Sequence, residues 1–158
     1  MNDGPITAQK ARSTLYEIIR QETPFEAKAE EVLQLGVRYL NAENGHLTRI
    51  NQPTDHWKAI VSTDPNDGQF PAGLEVALEK TFCRRTIEKD TSVALYDVPN
   101  QGWDDDPAFE THELHCYHGT PLIVDGEPYG TVCFVADDPR EAFSDDETMF
   151  AELIGRLL

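Results

Sequence analysis

The chain has 158 residues, enough for one domain with its own core. Asp and Glu total 29 against 13 Lys and Arg, a net charge of −16, which disfavours direct binding to nucleic-acid phosphate or to anionic lipid. No apolar run reaches the length of a membrane span and no signal-peptide pattern opens the chain, while three scattered cysteines make no disulfide framework; a reduced, cytoplasmic setting is expected.

Residues 1–9, with Gly4-Pro5, read as a polar leader, and residues 10–158 as one domain. Ala11, Leu15, Ile18 and Ile19 recur at helical spacing. Thr23-Pro24-Phe25-Glu26 reads as a helix start with Thr23 as N-cap and Pro24 in the first turn. That helix is expected to run to about Asn44-Gly45, where a left-handed residue ends it.

Short strands follow. Residues 46–51 and 57–63 flank Gln52-Pro53-Thr54-Asp55 and pair as a hairpin. Leu74, Val76 and Leu78 alternate as a strand, and Phe82, Cys83, Thr86 and Ile87 form one face of a helix. Residues 92–98 make a further strand. Pro99 to Asp106 is a loop, and Asp106-Pro107 opens a helix to about His115. Two β-rich runs then flank Asp125-Gly126, a strong hairpin signal. Ser144 and Glu147 form a capping box before Met149, Phe150, Leu153, Ile154 and Leu157. This order predicts an α+β domain with a mainly antiparallel sheet.

Eight of the 13 basic residues are Arg. The acidic surface, with little Lys, suits a host with high internal salt, where screening removes the self-repulsion.

Three motifs occur in order: Cys83-Arg-Arg-Thr86, Cys116-Tyr-His-Gly-Thr-Pro121, and Tyr129-Gly-Thr-Val-Cys-Phe134. Together with the start at Pro24-Phe25-Glu26 and the ending Phe143-Ser144-Asp145-Asp146-Glu147, they resemble the GAF domain family over about residues 10–158. The pattern is most similar to haloarchaeal GAF domains of the bacterio-opsin-activator type and of related sensor kinases. The resemblance implies a GAF-like, PAS-related sheet of five or six antiparallel strands. Terminal helices would cover one face, and a small-molecule pocket would lie on the other under middle helices and loops. It also implies a regulatory module within a larger signalling protein; a fold alone does not name the ligand.

The candidate pocket residues are Cys83, Thr86, Trp103, Phe109, Cys116, His118 and Cys133. Cys83 stands beside Arg84 and Arg85, whose charges would lower its pKa and favour the thiolate; it is otherwise an inert core thiol. Cys133 reads as packing, with Cys116 intermediate between the two. Trp103 and Phe109 either fold over the core or form a lid on a ligand. His112, His115 and Cys116 would share one helical face, with His118 close by, and form the sole metal-like cluster of the sequence. No second Cys/His pair with zinc spacing accompanies them. The acidic runs Asp104–Asp106 and Asp145–Glu147 read as structural, the latter favoured by a helix N-terminus.

A sensory module is therefore expected: non-catalytic, homodimeric through its terminal helices, and linked covalently to a kinase or transcription activator. It would bind an unidentified small molecule but neither nucleic acid nor membrane. The last helix ends at Leu157-Leu158 as if the chain once continued. Two alternatives compete. One is an enzyme like free methionine sulfoxide reductase, provided Cys83 and Cys116 converge as nucleophile and resolving thiol. The other is a redox or metal sensor built on the cysteines and histidines.

Overall fold

The computed structural model describes residues 6–89 and 91–158. Helix α1 (Ala8–Ile19) starts earlier than the expected leader allows, because Thr7 caps it by accepting a hydrogen bond from the Lys10 amide at 3.1 Å. Helix α2 (Phe25–Leu40) follows Pro24, which occupies the N-cap without a side-chain bond. Thr23 is thus not the cap. Nor does α2 reach Asn44-Gly45: Asn41, left-handed at φ 57°, terminates it.

Six strands form one sheet in the order β3-β2-β1-β6-β5-β4, each antiparallel to its neighbours. They are β1 (Asn44–Asn51), β2 (His56–Ser62), β3 (Glu75–Ala77), β4 (Val93–Leu95), β5 (Cys116–Val124) and β6 (Glu127–Ala136). The β5–β6 turn places both Asp125 (φ 54°) and Gly126 (φ 82°) at positive φ, the geometry that the Asp-Gly pair anticipates. Strands β3 and β4 are shorter than their sequence runs. Leu78 leaves β3 for a single 3₁₀ turn, Leu78–Lys80.

The sheet separates two cores. On one face α1, α2 and α5 (Asp145–Leu157) bury Leu15, Leu33, Phe134, Phe150 and Ile154. On the other, α3 (Cys83–Lys89) and α4 (Pro107–His112) cover Trp57, Phe82, Leu95, Tyr117 and Cys133. Ser144 and Glu147 form the expected capping box at the start of α5. Glu147 also takes a two-toothed ion pair from Arg140 Nη2, at 2.9 and 3.0 Å. Arg140 Nη1 donates to the carbonyl of Leu40, so one guanidinium joins the C-terminal end of α2 to the N-terminal end of α5.

Candidate functional site

Two elements bring sulfur to sulfur. The apolar face of α3 turns Cys83, Thr86 and Ile87 onto the sheet, with Phe82 buried just before the helix. Alternation along β6 sends Thr131, Cys133 and Val135 toward them and Val132 and Phe134 the other way. Cys83 Sγ and Cys133 Sγ lie 3.2 Å apart, both thiols free and buried.

Hydroxyls complete the centre. The Thr131 hydroxyl donates to Cys83 Sγ at 3.2 Å, and the Tyr117 phenol donates to it at 3.4 Å. Behind them, Thr48 Oγ1 is 2.7 Å from Thr131 Oγ1, and Thr86 Oγ1 is 2.8 Å from the Tyr117 oxygen. The Thr131 amide occupies Thr48 Oγ1 as its acceptor at 3.0 Å. Each hydroxyl can therefore pass its proton inward: Thr86 to Tyr117 to Cys83, and Thr48 to Thr131 to Cys83. Cys133 S–H can go to Thr131 Oγ1 at 3.1 Å or to Cys83 Sγ, and when Cys83 is a thiolate it becomes the common acceptor of this fully buried network. Tyr117 reaches it because residue 119 is glycine; a Cβ there would stand 2.0 Å from the phenol oxygen.

The thiol pKa values follow this arrangement. Burial pushes the Cys83 thiol up, but donation by Cys133, Thr131 and Tyr117 outweighs it and brings it down to about 7. Burial holds Cys133 and Tyr117 well above their ordinary values, and charge on Cys83 reinforces both. The buried indole N–H of Trp57 has no hydrogen-bond partner among the described residues, and it adds a smaller contribution that favours the Cys83 thiolate.

Arg84 and Arg85 do not act on the thiol. Arg84 Nη2 pairs with the buried Asp106 carboxylate at 3.3 Å and Arg85 Nη2 at 3.0 Å, while Asp106 also caps α4 through the Ala108 amide at 2.9 Å. Successive helical side chains diverge, so adjacency to Cys83 in sequence carries the guanidinium groups away from its sulfur. Trp103 stacks under Arg85, 5.1 Å from guanidinium carbon to ring centre, with its edge toward Phe82. Phe109 meets His115 edge to face at 5.3 Å. Both aromatics pack against the core on this face of the sheet. The space left beside Cys83, Trp57 and Tyr117 is about 10 Å³.

The sequence of residues 22–158 matches the model of the GAF domain. The chain belongs to the GAF domain family. No curated protein matches it in sequence. Solved structures share the fold at low identity. The GAF domain of a phosphoenolpyruvate-protein phosphotransferase from Coxiella burnetii superposes with TM-score 0.74 at 17% identity, over 99% of this chain and 92% of that one. The free methionine-R-sulfoxide reductase of Neisseria meningitidis gives 0.73 at 14%, over 98% and 89%. The chromophore-binding domain of Stigmatella aurantiaca phytochrome P1 gives 0.73 at 11%, over 95% of this chain and 58% of its own.

In this GAF domain Cys83, Thr86 and Cys133 come together as candidate pocket residues, but Cys116 and His118 do not join them. Strand alternation turns both to the face that carries α5, opposite Tyr117. His118 Nε2 lies 3.3 Å from Thr148 Oγ1 on α5 and its ring meets Phe143 edge to face. Burial pushes the Cys116 thiol up to about 11. Cys83 and Cys116 are therefore not a nucleophile and resolving pair. The expected metal-like cluster is dispersed as well. Glu113, left-handed at φ 54°, ends α4 at His112, which tilts onto Phe70; His115 Nδ1 binds the Asp137 carbonyl oxygen at 2.8 Å; Cys116 begins β5. Among the described residues no group of three His, Cys, Asp or Glu could hold a metal ion.

Sequence reasoning missed Thr48, Thr131, Tyr117 and Trp57 as parts of the centre. Period-two counting back from Cys133 reaches Thr131, so that residue had a signal. Thr48 joins only through the β1–β6 pairing. A concavity of about 730 Å³ opens on the α5 face between Phe25, Pro121, Leu122 and Leu158. It lies across the sheet from Cys83 and shares no residue with the thiol centre. Among the described residues no helix is long and apolar enough to cross a membrane.

Proposed function

We propose that this GAF domain is a non-catalytic regulatory module that relays events at the Cys83 centre to its terminal helices, and so to a covalently linked kinase or transcription activator. One observation carries the reading. Consecutive residues of β5 and β6 serve opposite faces: Tyr117 and Cys133 join the thiol centre, while His118 and Phe134 press on α5 and α2. Closely packed strands do not absorb a shift on one side without passing it to the other.

An organic ligand would need the side chains that line the space, Phe70, Phe82, His112 and Leu114 among them, to move apart, because the existing space suits a molecule of about water's size. Methionine sulfoxide is far larger, which argues against the reductase reading. Tyr16 on α1 and Met149 on α5 are exposed, and they support a homodimer formed through these two helices. The net charge of −16 supports a host with high internal salt.

Thr131→Val tests the relay. It removes a hydroxyl that touches neither α2 nor α5. Hydrogen exchange in both helices is expected to change relative to the parent protein. A response confined to α3, β1 and β6 would sink the relay. Light scattering in molar KCl tests the dimer, and a strict monomer would refute it.

A further inference from the structure

Outside the relay itself, the thiol centre has a chemistry of its own. Two hydroxyls donate to Cys83 Sγ, Thr131 at 3.2 Å and Tyr117 at 3.4 Å, and Cys133 Sγ stands 3.2 Å away, able to give its S–H as a third donor once Cys83 is a thiolate. The Trp57 N–H nearby lacks a hydrogen-bond partner. A neutral thiol does not need so many donors, whereas a thiolate does. A second sulfur on a different element stands in contact with it, close enough for a bond once the pair shortens to the ~2.05 Å of a disulfide. The third cysteine, Cys116, faces the opposite side of the sheet, with no such donors among the described residues.

We propose that Cys83 and Cys133 are a redox site that hydrogen peroxide converts to a disulfide, Cys83 being the attacking sulfur and Cys133 the resolving one. The proposal deepens the relay reading by naming its stimulus, and it rests on that reading only for its consequence at the helices. The Cys83 thiolate attacks one peroxide oxygen and the O–O bond breaks. Cys83 becomes a sulfenic acid, and the departing hydroxide takes up the proton that Cys83 lost on ionising, leaving as water. Cys133 then gives up its proton and attacks the Cys83 sulfur. The S–S bond forms, the sulfenic oxygen leaves as a second water with that proton, and two electrons have passed from the two sulfurs to peroxide. The space of about 10 Å³ beside Cys83 holds no more than a molecule of about water's size, so hydrogen peroxide needs only a small opening to reach the sulfur, whereas bulky thiols such as glutathione are barred from it. A thiolate pKa near 7 makes the reaction feasible at neutral pH.

The test uses the full chain, reduced and then treated with stoichiometric hydrogen peroxide. Intact mass should fall by two hydrogen atoms. Peptide mapping should recover Cys83 linked to Cys133, and of the three thiols only Cys116 should still titrate. Cys133→Ser should stop at the sulfenic acid, trapped on Cys83 by a cyclic 1,3-diketone. Tyr117→Phe keeps the ring and removes one donor, and should slow oxidation roughly tenfold, as one pKa unit would. Three thiols that still titrate, or a linked pair that contains Cys116, would overturn the proposal whether or not the variants fold. A Cys83–Cys133 disulfide that leaves hydrogen exchange in α2 and α5 unchanged would sustain the redox site and sink the relay. Inert thiols, with α2 and α5 still responsive to Thr131→Val, would do the reverse.

Discussion

The ring of Phe134 lies directly against the backbone of α2 at Gly36. A Cβ built on Gly36 would stand 2.3 Å from the ring Cζ and 2.4 Å from Cε1. Gly45 on β1 meets the same ring, where a Cβ would come within 2.8 Å of Cε1, so two glycines make the room that Phe134 fills. Gly36 sits in a helix interior, where glycine costs ~1 kcal/mol relative to alanine. The close approach outweighs that cost. Gly36→Ala is accordingly expected to destabilise the domain by ~1–3 kcal/mol, against the sign of helix propensity. Urea denaturation would measure it. Phe134→Leu added to Gly36→Ala should recover part of the loss, and strict additivity of the two would argue that ring and helix are not in close contact.

Gly119 has an analogous role on the other face, toward Tyr117. Gly119→Ala would place a methyl on the phenol oxygen and drive the ring from Cys83 and Thr86. The Cys83 thiol is then expected to titrate higher, because it loses a donor to its thiolate. Thiolate absorbance followed against pH reports this directly. An unmoved titration in folded Gly119→Ala protein would show that Tyr117 does not stabilise the anion.

Two buried histidines set the acid limit. Burial holds His46 and His118 each down to about 4. His46 Nδ1–H donates to Asn44 Oδ1 at 2.6 Å and the ring stacks on Phe70, with Asp64 and His112 as its titratable neighbours. His118 faces Thr148 and Phe143, with Glu147 and Arg140 nearby. A folded pKa below the unfolded value of ~6.5 means the unfolded chain binds the proton first. Stability from these groups is present in full above that value and is lost as pH falls toward 4. Between pH 7.5 and 5 each should cost ~2 kcal/mol. Urea midpoints at the two pH values check this, and His118→Gln should flatten the dependence. An unchanged midpoint would mean that these rings are already protonated, or exposed, in the fold.

Much of the architecture was legible locally. The Asp125-Gly126 turn and the Ser144–Glu147 capping box need only a few adjacent residues, and the structure has both as the sequence implies. Cys83 and Cys133 also stood out as thiols. The partners of Cys83 did not, because a side chain's direction depends on its element. Arg84 and Arg85 follow Cys83 in the chain and leave it in space for Asp106. Cys116 and His118 flank Tyr117 and face away from it. Thr48 reaches the centre only through a strand pairing between residues more than eighty positions apart. Pairing of that kind has no local signature, so the sequence marks the sulfur and hides its hydroxyl donors.

Salt should stabilise this domain. Its net charge of −16 is spread over a surface with few basic residues, and the folded state concentrates that charge more than the unfolded chain does. Counter-ions screen this repulsion, with a Debye length that falls from ~30 Å at 0.01 M to ~3 Å at 1 M. The favourable pairs are less exposed to screening. Asp106 is 2% exposed in its pairs with Arg84 and Arg85, and Arg140 and Glu147 are 13% and 15% exposed. Screening therefore removes more repulsion than attraction. The melting temperature is expected to rise between 0.01 M and 1 M KCl by on the order of 10 °C, equivalent to a few kcal/mol for a domain of this size. A flat or falling melting temperature would mean that the acidic surface adds no net repulsion, and the inference of a salt-rich host would lose its physical basis.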